Sequence, residues 1–387
     1  MLSILFDEKT GQFSVSDQST QSILRNGHMG EKAHETLVLG TEEGMYAIDA
    51  RGAECLSLQT RKGLSFNDIA KRLAGRHKLI AKYYTYRDWR ERGLMLCYPN
   101  SAPAGEEHQQ QKKYPAAQSR IKVSNLIGVF FQDDLTTTVD DKEKGRSLYE
   151  ESWMGQYGSY KRGDKGAVNK LDIHETLFLM ELGKLRVENA SRSEIIGAAL
   201  ERSKEFEKLY DVYKDWRCRG YVVKTGFKFG THFRIYFPGA KPQSSGDERT
   251  HSKHVIHVFP RDAKLLTSEL ARAIRVAHSV RKTFILAIPG KSRRKSAGID
   301  FVLYYRKDNN AQLPGKDRPS YGMLSLGEDE YVGGAELSSA TEDAMERKLE
   351  LIVAIADRET AVTYYRVRRI GLQGSNFEYY EIDWMQP

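Results

Sequence analysis

Cysteine is scarce in this 387-residue chain: Cys55, Cys97 and Cys218 are the whole supply, scattered without metal-type spacing. That pattern argues against a disulfide scaffold or a zinc site and for a reducing cytoplasm. No apolar run approaches the roughly 20 residues that cross a bilayer. The opening MLSILFDEKTG meets acid at Asp7, so neither a secretory signal nor a membrane anchor is expected. Disorder is excluded by composition, with 40% apolar and 29% charged residues. The one excess is positive charge, 60 Lys and Arg against 52 Asp and Glu, or +8. It favours a polyanionic partner without specifying one.

The chain repeats itself. YRDWRERG at 86–93 returns as YKDWRCRG at 213–220, and ILFDEKTG from Ile4 resembles VFFQDDLT from Val129. Met29-Gly30 meets Met154-Gly155 at an offset of 125, and Leu39, Met45 and Tyr46 meet Leu171, Leu177 and Phe178 at 132. Residues 1–99 and 121–226 thus read as two copies of one unit, the second carrying an insertion near 156–170. A third echo pairs RKTFILAI and FVLYY (281–305) with KLELIVAI and AVTYY (348–365). The implied organisation is a degenerate front half (1–99), a linker (100–119), a complete unit (120–306), a second linker (307–320) and a structural back half (321–387). Within the complete unit, 120–210 forms the N-terminal domain and 211–306 the catalytic-type domain.

Local pattern makes these units α+β, small N-terminal α+β domains joined to mixed sheets flanked by helices. Phe206, Tyr210, Tyr213 and Trp216 recur at helical spacing and end at Gly220, which reads as packed core rather than a base-stacking platform. YVVKTGFKFGTHFRIYF and VIHVF follow as strands, residues 264–282 as a helix, and FILAI as a buried strand.

Several residue types in this stretch carry chemistry. The two-residue period of FRIYF sets Phe233, Ile235 and Phe237 on one face and Arg234 and Tyr236 on the other. In HSKHVIH, His254 and His257 lie three apart on a strand and point to opposite faces, which disfavours a shared metal ion. His251 ends a polar loop, where an exposed imidazole exchanges protons near neutrality. Arg275, His278 and Lys282, at i, i+3 and i+7, line one stripe of the expected helix. On residue pattern alone, each also fits a bland role: a strand tyrosine, a surface histidine, a solvated basic face.

Together the runs YKDWRCRGYVVKTGFKFGTHFRIY (213–236), THSKHVIHVF (250–259) and RVAHSVRKTFILAI (275–288), in this order and spacing, resemble the archaeal tRNA-splicing endonucleases. The resemblance covers the complete unit, and the flanking parts are similar to the family's N- and C-terminal halves. It implies that Tyr236, His251 and Lys282 are a catalytic triad and that Arg275 grips bulged nucleotides, with Arg306 a weaker second candidate. It further implies a cytoplasmic, metal-independent enzyme without cofactor that cuts precursor tRNA at bulge-helix-bulge junctions by 2′-hydroxyl attack, leaving 2′,3′-cyclic phosphate and 5′-hydroxyl ends.

The other copies depart from that pattern. The front copy lacks the KTGFKFG block, and the third copy has Leu349 where Lys282 stands, with Arg318 falling opposite His251. One active site per chain and a homodimer of pseudo-two-unit protomers follow from the resemblance. Asp357 and Glu359 would supply the acidic latch that the family uses between units, and Lys161, Arg162 and Lys165 of the insertion would contact RNA. Two rivals remain open: a non-catalytic RNA-binding subunit, and a metal-dependent nuclease using Asp262 and Lys264, for which a lone carboxylate has no evident partner.

Overall fold

A computed structural model describes residues 2–106, 111–118, 121–159, 165–242, 251–290 and 298–387. The fold is α+β, as expected. Two small five-stranded sheets have the same strand order. The first runs Glu31–Ala33, Thr36–Leu39, Gln12–Val15, Ser3–Asp7, Glu54–Ser57; the second runs Gln156–Tyr157, Asn169–Asp172, Thr136–Val139, Leu126–Phe131, Leu185–Val187. Each has one parallel outer pairing, Ser3–Asp7 with Glu54–Ser57 and Leu126–Phe131 with Leu185–Val187.

The aromatic stripe is core: Tyr213 and Trp216 on helix Phe206–Cys218 are buried, as are Tyr86 and Trp89 on helix Leu79–Glu91. Both helices pack on an eleven-stranded mixed sheet. Its main path is Val222–Thr225, Phe233–Tyr236, His254–Val258, Thr283–Ile288, Glu378–Met385, Val362–Leu372, Glu350–Ala356, Tyr321–Gly327, Phe301–Leu303, Leu96–Cys97. Ile382 opposite Val367 marks its middle, and the strands read alike outward in both directions.

Three expectations need correction. The stretch 264–282 is not one helix: Lys264–Leu266 is a strand against Tyr331–Gly333, and the helix covers Thr267–Ser279. Arg281 adopts a left-handed φ of 54°, and Lys282 lies between the helix and the next strand, Thr283–Ile288, so it is off the stripe of Arg275 and His278. The FVLYY and AVTYY runs are not equivalent in space. Val362–Leu372 pairs with Glu350–Ala356, but Phe301–Leu303 leaves Thr283–Ile288 and crosses to pair with Tyr321–Met323 and Leu96–Cys97. The place beside Thr283–Ile288 is taken by Glu378–Met385. Similar β-rich composition suits either position, so sequence likeness cannot separate them. Finally, the unperiodic stretch 100–119 contains Lys113–Tyr114, which joins the sheet at Gly371–Leu372 with Tyr114 buried. Among the described residues, no helix is long and apolar enough to cross a membrane.

Candidate active site

Tyr236 ends the strand Phe233–Tyr236, and the strand stops there: Tyr236 is 5% exposed and Phe237 41%. The phenol is not on an open face. The Trp153 indole lies 4.5 Å from its ring centroid, and the Arg234 guanidinium lies 5.7 Å from it. Trp153 comes from the small domain, at the end of helix Lys142–Ser152, with φ 46°. The turn that presents it is tightly specified. Gly155 sits at φ 71°, and a Cβ there would fall 2.0 Å from Asn169 Oδ1, so only glycine fits.

A buried charge pair clamps that turn to the large sheet. Lys224 Nζ lies 2.6 Å from Glu175 Oε1 and donates to the Gly155 carbonyl at 2.8 Å, while Gly155 N–H donates to the same carboxylate at 2.9 Å. Arg217 donates to the Ser152 carbonyl at 2.5 Å. Burial holds the Lys224 ammonium below the ordinary lysine range despite Glu175. Two domains are thereby held in register around Tyr236.

Lys282 Nζ donates to the carbonyl of Ser252 and to its hydroxyl at 3.1 Å, and lies 4.7 Å from the Phe229 ring. Partial burial, then the charge of Arg234, keeps its ammonium below the usual lysine range. Arg234 therefore stacks over Tyr236 and its charge is felt at Lys282. His251 is exposed and precedes Ser252, so the tether on Lys282 carries His251 beside it in the chain. His254 and His257 face opposite ways, His254 toward Tyr114 and Phe237, His257 against His232 with ring centroids 4.4 Å apart.

The remaining sequence candidates scatter. Arg275 is exposed, its Nε donating to Ala271 O at 3.4 Å, and its charge reaches the buried Tyr365 phenol. Arg306 donates to the Arg92 carbonyl at 3.2 Å, at the opposite end of the large sheet from Tyr236. Lys165 is exposed, its carbonyl accepting from Ser159 N–H, whereas Lys161 and Arg162 lie outside the described residues. Asp357 holds its own hairpin, its carboxylate accepting from the N–H groups of Glu359 and Ala361 at 2.9 Å each, while Glu359 is exposed. Sequence reading missed Trp153, Lys224 and Glu175. Their signal was the offset that aligns Met154-Gly155 with Met29-Gly30.

Residues 206–297, which carry Tyr236, His251 and Lys282, match the family described as tRNA intron endonuclease, catalytic C-terminal domain. A tRNA-splicing endonuclease of Pyrobaculum islandicum is 33% identical over 168 residues, 41% of this chain and 88% of that protein. The chain belongs to the tRNA-splicing endonuclease family. It is an endonuclease, and other members of the family are similar to it as well. The Methanopyrus kandleri tRNA-splicing endonuclease is 37% identical over 150 residues, 38% of this chain and 80% of that protein. The Methanosarcina acetivorans tRNA-splicing endonuclease is 24% identical over 340 residues, 74% of this chain and 94% of that protein.

Proposed function

We propose that this endonuclease excises introns from precursor tRNA at bulge-helix-bulge junctions, with Tyr236, His251 and Lys282 as its catalytic residues. The observation that carries the reading is the Arg234 guanidinium set over the Tyr236 ring, with Lys282 tethered at Ser252 next to His251.

RNA supplies its own nucleophile in the 2′-hydroxyl, so the protein has three tasks. Tyr236 takes the 2′ proton. A phenol is a weak base at neutral pH unless cations favour its anion, and Arg234 and Lys282 supply that field. His251, exposed at the mouth, protonates the leaving 5′-oxygen. Lys282 faces the phosphorane-like transition state, where a fixed cation is worth more than in water because Trp153 and Phe229 exclude solvent. The bond from the 2′-oxygen to phosphorus forms as the bond to the 5′-oxygen breaks, leaving a 2′,3′-cyclic phosphate and a 5′-hydroxyl. The residues need no metal ion or cofactor for these steps.

In this reading the chain is organised as front half, complete unit and back half, with one active site, and two protomers form a cytoplasmic homodimer. Arg275 grips an unpaired nucleotide, the 156–170 insertion meets the RNA backbone, and Glu359 with Asp357 latches the back half to the partner. Arg306 would act at the opposite end of the large sheet from Tyr236 of the same chain.

The test is cleavage of a precursor tRNA by the full chain, with the product ends analysed and EDTA present. Cyclic phosphate ends, lost in Tyr236→Phe, His251→Ala and Lys282→Ala, are expected. Wild-type rates in all three variants would sink the triad.

A further inference from the structure

The large sheet contains a second place built like the surroundings of Tyr236. In one half, Val223 pairs with Ile235, Ile235 with His254, and His254 with Thr283. In the other half, Leu96 pairs with Leu303, Leu303 with Tyr321, and Tyr321 with Glu350. Stepping from matching residues, Tyr236 corresponds to Tyr304, His251 to Arg318, and Lys282 to Leu349. The small domains add a further match. Trp153 corresponds to His28, which shares its left-handed backbone, with φ 54° against 46°. Glu43 accepts from Gly30 N–H as Glu175 accepts from Gly155 N–H.

At this twin site the closing residue has changed. Where Trp153 covers Tyr236, the smaller His28 leaves a cleft of about 1390 Å³ with Tyr304 in its lining. Burial pushes the Tyr304 phenol well above its ordinary range, so it cannot serve as a base, and Leu349 supplies no cation. The cleft cannot repeat the chemistry. It can bind.

Five cations line it: Arg25, Lys32, Arg76, Lys316 and Arg318. Among the described residues none of them has a salt-bridge partner; Arg76 donates to Gly11 O at 3.0 Å and Arg318 to Ala104 O at 3.2 Å. The three acids in the lining are engaged locally. Glu43 accepts from Gly30 and Gly40 N–H, Glu31 accepts from Ser101, and Asp317 accepts from Leu313 N–H at 2.7 Å. The field is positive enough to be felt inside the cleft: after burial, Arg90 and Lys316 depress the proton affinity of His28.

We propose that this cleft, between the front half and residues 314–318 of the second linker, is a non-catalytic docking site for the phosphodiester backbone of the RNA substrate, distant from the bond being cut. It rests on precursor tRNA being that substrate. An RNA strand here, at the opposite end of the sheet from Tyr236, gives one chain two grips on one folded RNA. Unpaired, exposed lysines and arginines suit the shape-directed, phosphate-directed contacts that folded RNA offers.

Fluorescence anisotropy with the full chain tests it, using a precursor tRNA made uncleavable by 2′-deoxy substitution at both junctions. In the double variant Lys316→Ala, Arg318→Ala, Kd should rise about tenfold at 100 mM salt, and the slope of log Kd against log salt should fall by about 1.5, near 0.7–0.9 per lost phosphate contact. Arg318→Lys with Lys316 intact should recover most of the affinity. All these residues are exposed, and an unchanged melting temperature establishes folding. Wild-type Kd and salt slope in the double variant would overturn the proposal. So would conversion of a wild-type dimer to monomer on sizing, since the cleft would then seat a second copy of this chain. Because the RNA is uncleavable, the result is independent of whether the wild-type chain cuts the ordinary precursor, which tests the proposed activity separately.

Discussion

Trp153 and Tyr236 meet ring to ring, 4.5 Å apart and tilted by 42°, although one belongs to a small domain and the other ends a strand of the large sheet. The contact makes the orientation of the candidate base depend on how the two domains sit. Aromatic pairs of this kind contribute about 0.5–1.5 kcal/mol beyond burial. Trp153→Ala should therefore lower single-turnover cleavage at saturating RNA about three- to tenfold, and Trp153→Phe should restore most of it. Rates measured on one precursor tRNA check this. An effect confined to KM would mean that Trp153 touches RNA and does not position the phenol.

Arg234 should set the pH at which Tyr236 becomes effective. A nearby cation favours the phenolate, so its removal raises the tyrosine pKa. The limb of the pH–rate profile that rises with base deprotonation should move to higher pH in Arg234→Ala, with at least a tenfold loss at pH 7. Arg234→Lys should fall between. A profile that drops in height without shifting would show that Arg234 acts elsewhere.

The buried pair under the Trp153 turn predicts a large stability effect. Removing one member leaves an unpaired charge, a loss of about 3–5 kcal/mol. Lys224→Met should lower the urea midpoint markedly, while the double variant Lys224→Met, Glu175→Gln should recover part of it. Equal midpoints in the single and double variants would count against the pairing.

Acid should weaken the fold through its buried histidines. Burial takes His232 down to about 3, and His254 and His257 to about 4. The unfolded chain binds protons at these sites near pH 6.5, before the folded protein does. Their contribution is therefore complete above that pH and is lost as pH falls from about 6.5 toward 4 and 3. Each has a limiting slope of about 1.4 kcal/mol per pH unit. Urea midpoints at pH 7.0, 5.5 and 4.5 should fall in step, and His257→Phe should flatten the fall. An identical pH dependence in His257→Phe would exclude that residue from the effect.

The hairpin Asp357–Ala361 separates two roles that the sequence could not. Asp357 is used within the turn, so Asp357→Ala should cost about 1 kcal/mol whatever the assembly state. Glu359 gives only its backbone N–H to those bonds and its side chain takes no part in them. Glu359→Lys should convert the proposed dimer to a monomer on sizing with no loss in the melting temperature of the chain; a persistent dimer would remove the latch.

Much of this was legible in the sequence because repetition preserves core spacing. Tyr86 with Trp89 and Tyr213 with Trp216 had to be buried alike, and the shared Met-Gly turn marked the small domains. The crossing of Phe301–Leu303 was not legible, because a short apolar run does not say which strand it will pair with. Nor was the break before Lys282. It depends on Arg281 adopting a left-handed conformation, which non-glycine residues rarely take and which no neighbouring residue type advertised. The Lys224–Glu175 clamp was hidden for another reason: its partners are 49 residues apart and meet only across a domain boundary.

The crossing strand also governs how this chain can be divided. Cutting between Arg306 and Ser320 would leave Phe301–Leu303 on one fragment and its partner Tyr321–Met323 on the other. The strand Glu378–Met385, which completes the half containing Tyr236, would leave with the second fragment. Neither fragment would retain an intact half of the sheet. Supplied together they would regain it only by strand complementation, so the active half has no independent existence as a contiguous piece of the chain.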